Sequence, residues 1–221
     1  MSPTPHHDAD LAWDYENGFY LTSPQSRLGK ALSQYELYKR IVDLPGDVLE
    51  FGVFKGASLA RLLTFRSLLE AEASRRIWGF DAFGRFPRGG VESESDLAFV
   101  ERFESAGGDG YSAEEISGYL EAKSFANFEL VPGLVHETVP AVLERRPELR
   151  VALLHLDLDV YEPTVVVLDL LADRVVPGGL IVVDDYCAVE GATRAIDEAC
   201  RERGWTVRKL PLNHAPSYIV V

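Results

Sequence analysis

Four aspartates occur in two close pairs, and each pair directly follows an apolar run. Asp157 and Asp159 come after 151-VALLHL-156, and Asp184 and Asp185 come after 180-LIVV-183. Like charges at neighbouring strand ends repel one another unless a cation lies between them. Carboxylate oxygens suit Mg²⁺ or a similar divalent ion. The two pairs therefore predict a metal site, although one such pair alone is equally typical of a helix N-cap or a turn.

A glycine-containing turn follows the first apolar run of the chain, 49-LEFGVFKGAS-58. Gly52 and Gly56 allow a tight turn and a close backbone approach. The N-terminus of the next helix offers free N–H groups to a carboxylate or phosphate, and Ser58 can add a hydrogen bond. The spacing E-x-G-x-x-x-G-x-S differs from the usual dinucleotide and triphosphate motifs. The glycines alone fit a plain strand–turn–helix connection equally well.

Strands and helices are expected to alternate along most of the chain, and these elements position the aspartates and the glycine turn. The expected strands are 48–53, 76–80, 128–131, 151–156, 180–183, 206–209 and 217–221. The expected helices are 26–42, 57–72, 95–105, 112–123, 135–145, 163–173 and 191–203. This pattern predicts an α/β, Rossmann-like doubly wound fold. Its seven-stranded sheet is mostly parallel, with an antiparallel C-terminal hairpin and helices on both faces.

The same pattern indicates a single domain over residues 1–221. Residues 1–45 form an N-terminal arm and helix that contribute to a lid, and residues 81–125 form an insertion that also belongs to the lid. In an open sheet of this type, ligands bind beyond the carboxyl ends of the strands. The glycine turn and both aspartate pairs are expected at that edge.

The amino-acid composition and net charge exclude some classes of binding partner. The 221 residues are 47% hydrophobic and 26% charged, with a formal net charge of -13. This charge argues against nucleic acid and against anionic membranes, since both need clustered Lys and Arg. Two cysteines, Cys187 and Cys200, do not make a disulfide scaffold. With no signal-peptide pattern and no apolar run long enough for a membrane span, a cytoplasmic location is expected.

Four motifs together resemble a known family. The stretches 46-GDVLEFGVFKGAS-58, 78-WGFDAFGRFP-87, 156-LDLDVYEPT-164 and 178-GGLIVVDDY-186 resemble class I S-adenosylmethionine-dependent methyltransferases of the macrocin O-methyltransferase family. The likeness covers roughly residues 46–205, and 14-DYENGFYLTSP-24 is similar to a subgroup. The resemblance implies a Mg²⁺-dependent enzyme that methylates a sugar hydroxyl. Its acceptor would be a deoxysugar, a nucleotide sugar or a glycosylated natural product, in secondary-metabolite or glycan biosynthesis.

The resemblance also implies roles for individual residues. It assigns Asp157, Asp184 and Asp185 as metal ligands, with Asp159 as a less certain fourth. The turn Gly52–Phe54–Gly56 and Ser58 would take the methionine carboxylate of the cofactor. Glu50 would face its amino end and Asp81 its ribose. The metal would lower the pKa of one acceptor hydroxyl, which then attacks the methyl carbon.

A sugar hydroxyl is weakly acidic, so a general base is also expected. The candidates are Asp159, His136, His155 and His214, with Asp159 preferred and His155 interpreted as a structural core histidine. A diphosphate on the acceptor would need cations, for which Lys55, Arg85, Arg88, Arg27 and Lys30 are available.

Three other functions stay open at this stage. The acceptor could be a catechol-like phenol, the chain could bind S-adenosylmethionine without chemistry, or it could be a nicotinamide oxidoreductase with unusual glycine spacing. A homo-oligomer is implied by the resemblance alone.

Overall fold

The apolar runs form the strands of one mixed sheet in the computed structural model, which describes residues 6–87, 93–213 and 215–221. Arg88 and His214 lie outside the described residues. The strands are β1 (Asp47–Phe51), β2 (Ile77–Asp81), β3 (Phe128–Pro132), β4 (Val151–Leu156), β5 (Val175–Val183), β6 (Arg208–Lys209) and β7 (Ser217–Val220).

Within the described part of the chain the strand order is β3-β2-β1-β4-β5-β7-β6. Strands β1 to β5 are parallel, whereas β7 is antiparallel to both β5 and β6. The predicted fold class is confirmed, including the antiparallel pair at one edge. Chain order reverses between β1 and β4, and this switch brings the ends of these two strands side by side.

Helices connect the strands as the alternation predicts. They are α1 (Ala12–Thr22), α2 (Gln25–Tyr38), α3 (Ala57–Leu69), α4 (Glu94–Gly107), α5 (Ala113–Ala122), α6 (Val135–Arg145), α7 (Tyr161–Leu171) and α8 (Glu190–Arg203). The region expected as a polar insertion contains α4 and α5, close to the two short helices predicted there. The N-terminal segment, expected as an arm, contains the helix α1.

Strand β5 begins five residues before the predicted start, at Val175 instead of Leu180. Pro177, Gly178 and Gly179 argue against a strand there, because proline lacks the ladder N–H. The pairing of β5 with β4 tolerates them, since its register shifts between Val151 and Leu153.

Both faces of the sheet are buried, because successive strand residues point to opposite sides. On one face, Leu49 and Trp78 pack with apolar residues of α6, α7 and α8. On the other face, Val48 and Ile77 pack with residues of α2, α3 and α5. This two-sided core makes the sheet a rigid support for residues at its edge.

Helix α1 differs from this core, since none of its 11 residues is buried. Trp13 is 77% exposed and Leu21 is 84% exposed. Among the described helices, we find none with the length and apolar character that crossing a bilayer requires.

Candidate active site

The carboxyl ends of the parallel strands open into a cavity of about 700 Å³. Gly52, Asp81, Asp157 and Asp184 reach it from β1, β2, β4 and β5 respectively. The remaining walls include Phe19 of α1 and several aromatic residues of the 81–125 region; these are Phe86, Phe99 and Phe103. The two segments expected as a lid therefore both contribute to the cavity.

The glycine turn brings the end of β1 against the end of β4. Gly52 has a φ of +92°, and a Cβ there would lie 1.8 Å from the carbonyl oxygen of Asp157. Gly56, with a φ of +82°, is the N-cap of α3. Only glycine tolerates this combination of positive φ and close contact. The predicted cofactor turn and the predicted metal ligand thus touch through their backbones.

Asp81 holds this turn in place. Its Oδ2 accepts hydrogen bonds from the backbone N–H groups of Val53 at 2.7 Å and Phe54 at 2.9 Å, and its Oδ1 accepts one from Phe83 at 2.7 Å. The side chain also lines the cavity. Its expected contact with the ribose stays a prediction, and the structure adds a second role that the sequence did not indicate.

The two aspartate pairs come together as predicted. Candidate ligand atoms of Asp157, Asp159 and Asp185 lie within 4.8 Å of one another, and those of His155, Asp157 and Asp184 form a second group with the same spacing. Asp157 belongs to both groups. The predicted ligands Asp157, Asp184 and Asp185 are therefore divided between two overlapping groups. Asp159 belongs to the group that contains Asp157 and Asp185.

Backbone geometry explains how adjacent aspartates can face one point. The N–H of Asp184 still pairs with the carbonyl of Leu156 at 2.9 Å, so the strand register lasts to this residue. Asp159 has a φ of +65°, and its N–H donates to Oδ2 of Asp185 at 3.1 Å. The chain after β4 therefore turns back toward the end of β5.

Two cations lie beside the carboxylates. The Lys30 ammonium, from α2, donates a short hydrogen bond to Asp184 and lies 3.6 Å from Oδ2 of Asp157. His155 is 1% exposed, and its Nδ1 lies 3.0 Å from Oε1 of Glu50. Its Nε2 lies 3.9 Å from Oδ1 of Asp184, which is too long for a hydrogen bond.

Burial and mutual repulsion raise the pKa of three carboxyl groups. Burial, followed by the charge of Asp184, raises the pKa of Asp157 to about 7. Burial and Asp157 raise the pKa of Asp159 to about 8. Burial and Asp159 raise the pKa of Asp185 well above its ordinary value. These shifts mean that the cluster holds more negative charge than its surroundings compensate.

Neighbouring groups of opposite charge shift the pKa values of Asp184 and His155. Burial would raise the pKa of Asp184, but His155 and Lys30 outweigh it and lower this pKa to about 2. Burial would lower the pKa of His155, but Asp184 and Glu50 outweigh it and raise this pKa to about 9. His155 is thus held as a cation between two carboxylates.

The residues present fit a divalent metal. Oδ1 of Asp184 is buried and has no hydrogen-bond partner among the described residues. Four carboxylates converge here, and the adjacent cations are Lys30 and His155. An oxygen-rich, negatively charged group of this kind suits Mg²⁺. Asp157, Asp184 and Asp185 could hold it, with Asp159 alongside.

Glu50 of β1 faces His155 of β4. It is fully buried, its Oε1 is the partner of His155, and its Oε2 has no hydrogen-bond partner among the described residues. It is not among the residues that line the cavity. Its expected contact with the cofactor stays a prediction, whereas the structure shows it compensating the charge of His155.

The base candidates differ in position. Asp159 lies in the acidic cluster. His136 also lines the cavity, but its side chain is 51% exposed, 3.8 Å from Glu137. His155 is buried within β4, as expected of a core histidine, although its partners are charged residues of the site.

Most cations proposed for a diphosphate already have partners. The Lys55 ammonium donates to the carbonyl of Gly107 at 2.6 Å, and Lys30 contacts Asp184. Arg85 is 84% exposed and lies 3.7 Å from Asp109. Arg27 lines the cavity.

Sequence reasoning missed two groups at this site. Arg61 lines the cavity, and its Nε donates to Oε1 of Gln34 at 2.7 Å. Asp96 of α4 contacts the helices that follow both aspartate pairs. Lys30 was considered only for phosphate. Helical periodicity places these residues on helices, but no local signal shows which distant residue each one meets.

Comparison with known proteins identifies a family that this chain matches. A family model described as macrocin-O-methyltransferase (TylF) matches residues 36–212. An 8-demethyl-8-(2,3-dimethoxy-alpha-L-rhamnosyl)-tetracenomycin-C 4'-O-methyltransferase from Streptomyces olivaceus is 31% identical over 72% of this chain and 56% of its own length. A mycinamicin III 3''-O-methyltransferase from Micromonospora griseorubida is 30% identical over 72% of this chain and 59% of its own length. The match thus spans less than two thirds of these relatives.

Solved structures show the same fold. CalS11, described as a TDP-rhamnose 3'-O-methyltransferase of calicheamicin biosynthesis, is 29% identical with a TM-score of 0.67, over 99% of this chain and 87% of the other. The O-methyltransferase NovP has a TM-score of 0.71 at 21% identity, over 87% of this chain and 79% of the other.

Proposed function

The chain belongs to the macrocin O-methyltransferase family, and on that premise we propose that it transfers a methyl group from S-adenosylmethionine to a sugar hydroxyl, with help from a divalent metal. One observation carries the proposal. The glycine turn after β1 and the acidic ends of β4 and β5 meet in a single cavity, with Gly52 packed on the carbonyl of Asp157. A cofactor on the turn and an acceptor at the aspartates would therefore be neighbours.

The glycine turn supplies the cofactor site. The backbone between Gly52 and Gly56 and the start of α3 offer N–H groups to the methionine carboxylate, and Ser58 lies in the first turn of that helix. Asp81 keeps the turn in shape through its three backbone hydrogen bonds and offers its remaining oxygen lone pairs to the ribose. Proximity of the two substrates supplies a large part of the rate enhancement.

The aspartates orient the acceptor and receive its proton. A bound divalent cation supplies positive charge that makes a nearby hydroxyl more acidic. Asp157, Asp184 and Asp185 would hold that charge in place, and Asp159, which lies in the same cluster, would take the hydroxyl proton. The acceptor oxygen then forms a bond to the methyl carbon as the bond from that carbon to sulfur breaks. The sulfonium becomes a neutral thioether, and the proton leaves with Asp159.

The acceptor is a sugar carried by a nucleotide or by a natural product. The relatives and CalS11 carry names that specify such substrates. The cavity of about 700 Å³ has aromatic walls and lies within the range of roughly 300–1,000 Å³ that is typical of pockets for drug-sized ligands.

Two measurements test the proposal. Calorimetry with S-adenosylmethionine, in Mg²⁺ and in EDTA, should show cofactor binding that depends little on the metal. An acceptor panel of TDP-rhamnose, a rhamnosylated polyketide and a catechol should then show metal-dependent methylation of a sugar. Absence of cofactor binding would refute the methyltransferase assignment, whereas turnover of the catechol alone would refute the sugar assignment.

A further inference from the structure

Asp96 is a buried carboxylate that the proposed reaction does not use. It lies in the first turn of α4 and is 1% exposed. Its Oδ2 accepts a hydrogen bond from the N–H of Tyr161, and its Oδ1 accepts one from the N–H of Gly191, both at 3.2 Å. One side chain thus joins the starts of two helices, α7 and α8, that are far from it in sequence.

These two helices have no cap of their own. Their N-cap residues are Val160 and Val189, and neither makes a side-chain cap hydrogen bond. The first N–H groups of a helix need acceptors, and the positive end of the helix dipole favours a carboxylate. Asp96 meets both needs for both helices. A Cβ on Gly191 would lie 2.1 Å from Oδ2 of Asp96, so the glycine leaves the space that this carboxylate fills.

The same contacts lie beside the acidic cluster. Helix α7 begins two residues after Asp159. Before α8, the N–H of Val189 donates to the backbone carbonyl of Asp185 at 3.0 Å. Helix α4 also presents Phe99 and Phe103 to the cavity. Asp96 therefore connects one wall of the cavity to both loops that carry the predicted metal ligands.

We propose that Asp96 is a positioning residue that acts as a clamp: it holds the loops after β4 and β5 at the separation that a metal ion needs. Because Asp96 belongs to α4, the separation of these loops then depends on the position of α4 beside the cavity. The metal in this statement rests on the proposed function, whereas the clamp does not require that an ion binds.

The test compares Asp96→Ala with Glu101→Gln, which removes an exposed charge from the same helix. Hydrogen exchange should become faster at 157–162 and 185–192 in Asp96→Ala and stay unchanged in the control. Mn²⁺ affinity, measured by electron paramagnetic resonance, should fall about tenfold, at the lower end of what lost support around a metal site costs. Affinity for S-adenosylmethionine should be retained, because the glycine turn lies on other strands.

Two further variants keep the test decisive if Asp96→Ala folds poorly. Asp96→Asn keeps one acceptor oxygen and should fall between the wild type and Asp96→Ala. Gly191→Ala should displace the carboxylate and reproduce the effect of Asp96→Ala, while adding little when the two are combined.

Unchanged exchange at both loops in Asp96→Ala would overturn the clamp. Faster exchange with unchanged Mn²⁺ affinity would overturn the positioning role. If the wild type binds no Mn²⁺, the metal part of the proposed function fails and the positioning role fails with it, while the exchange data still decide whether Asp96 holds the loops.

Discussion

At the scale of residues, charge balance decides what the acidic cluster can bind. Lys30 contacts two of the predicted metal ligands, and His155 lies between Glu50 and Asp184. Two unit charges 4 Å apart interact by roughly 1 kcal/mol in water and by more when partly buried. The two cations therefore offset part of the repulsion among the carboxylates when no metal is bound, and Lys30 competes with an incoming cation for the same oxygens.

Replacement of Lys30 tests this competition. We expect Lys30→Met to bind Mg²⁺ about tenfold more tightly, because a repulsion of roughly 1 kcal/mol or more is removed. Titration calorimetry with Mg²⁺ measures the effect. Lys39→Met is the matched control, since Lys39 pairs with Glu36 on the protein surface. Weaker binding in Lys30→Met would show that the ammonium supports the site instead of competing for it.

Replacement of Asp184 tests the metal assignment. We expect Asp184→Asn to slow methyl transfer by about 100-fold or more, since loss of a ligand costs at least as much as loss of support around a site. Affinity for S-adenosylmethionine should change little, because the glycine turn is intact. Single-turnover rates and cofactor calorimetry separate these effects, with the exposed Asp169→Asn as control. An equal loss of rate and cofactor affinity would contradict the division of the cavity into two sites.

At the scale of elements, the turn after β1 holds together the strand ends that form the cavity. It links β1, β2 and β4 through the conformation of Gly52, the hydrogen bonds of Asp81 and the carbonyl of Asp157. A change here should disturb the cofactor site and the aspartates together.

Gly52→Ala tests how tightly this turn is constrained. A methyl group at a φ of +92°, 1.8 Å from a backbone oxygen, forces β1 and β4 apart. We expect a loss of about 3 kcal/mol or more in the free energy of unfolding, from strain and overpacking together. Denaturant unfolding measures it. Gly118→Ala in α5 meets no atom within 4 Å and should be neutral or stabilising. Similar stabilities for the two variants would mean that the turn is less constrained than described.

Strands, turns and site residues could be predicted from the sequence wherever a local pattern of residues determines them. Apolar runs identified the parallel strands, and the residues directly after them identified the glycine turn and both aspartate pairs. The sequence could not predict that Glu50 would turn toward His155, because that depends on the register between β1 and β4. The contacts of Lys30 and Asp96 join residues 154 and 65 positions apart, and a single sequence carries no signal for such pairs.

At the scale of the whole molecule, the acidic cluster should make stability depend on pH. The folded pKa is raised for Asp157, Asp159 and Asp185, and it is also raised for His155. A group with a raised folded pKa stabilises the protein below its unfolded pKa, and this contribution is lost as the pH rises through the folded value. The pKa of Asp184 is lowered to about 2, so its contribution is constant above about pH 5.

We therefore expect the metal-free protein to lose thermal stability as the pH rises from about pH 5, where the same carboxyl groups are already ionised in the unfolded chain, to about pH 9, above the raised folded pKa values. Melting temperatures in EDTA measure this loss. Mg²⁺ should restore stability most at the alkaline end, where the carboxylates are ionised. Asp159→Asn removes one of the titrating groups and should reduce the slope. A melting temperature that is flat or rises with pH in EDTA would contradict the charge excess.

The position of β7 has a consequence for how the chain is made. This strand lies between β5 and β6, both of which precede it in the chain. Until residues 217–220 emerge from the ribosome, β5 has an open edge formed by Leu180, Ile181 and Val182, which later pair with β7. Open apolar edges invite pairing with other chains. During the interval between synthesis of β5 and of β7, this open edge thus exposes the nascent protein to aggregation, and a chaperone that covers the edge would prevent it.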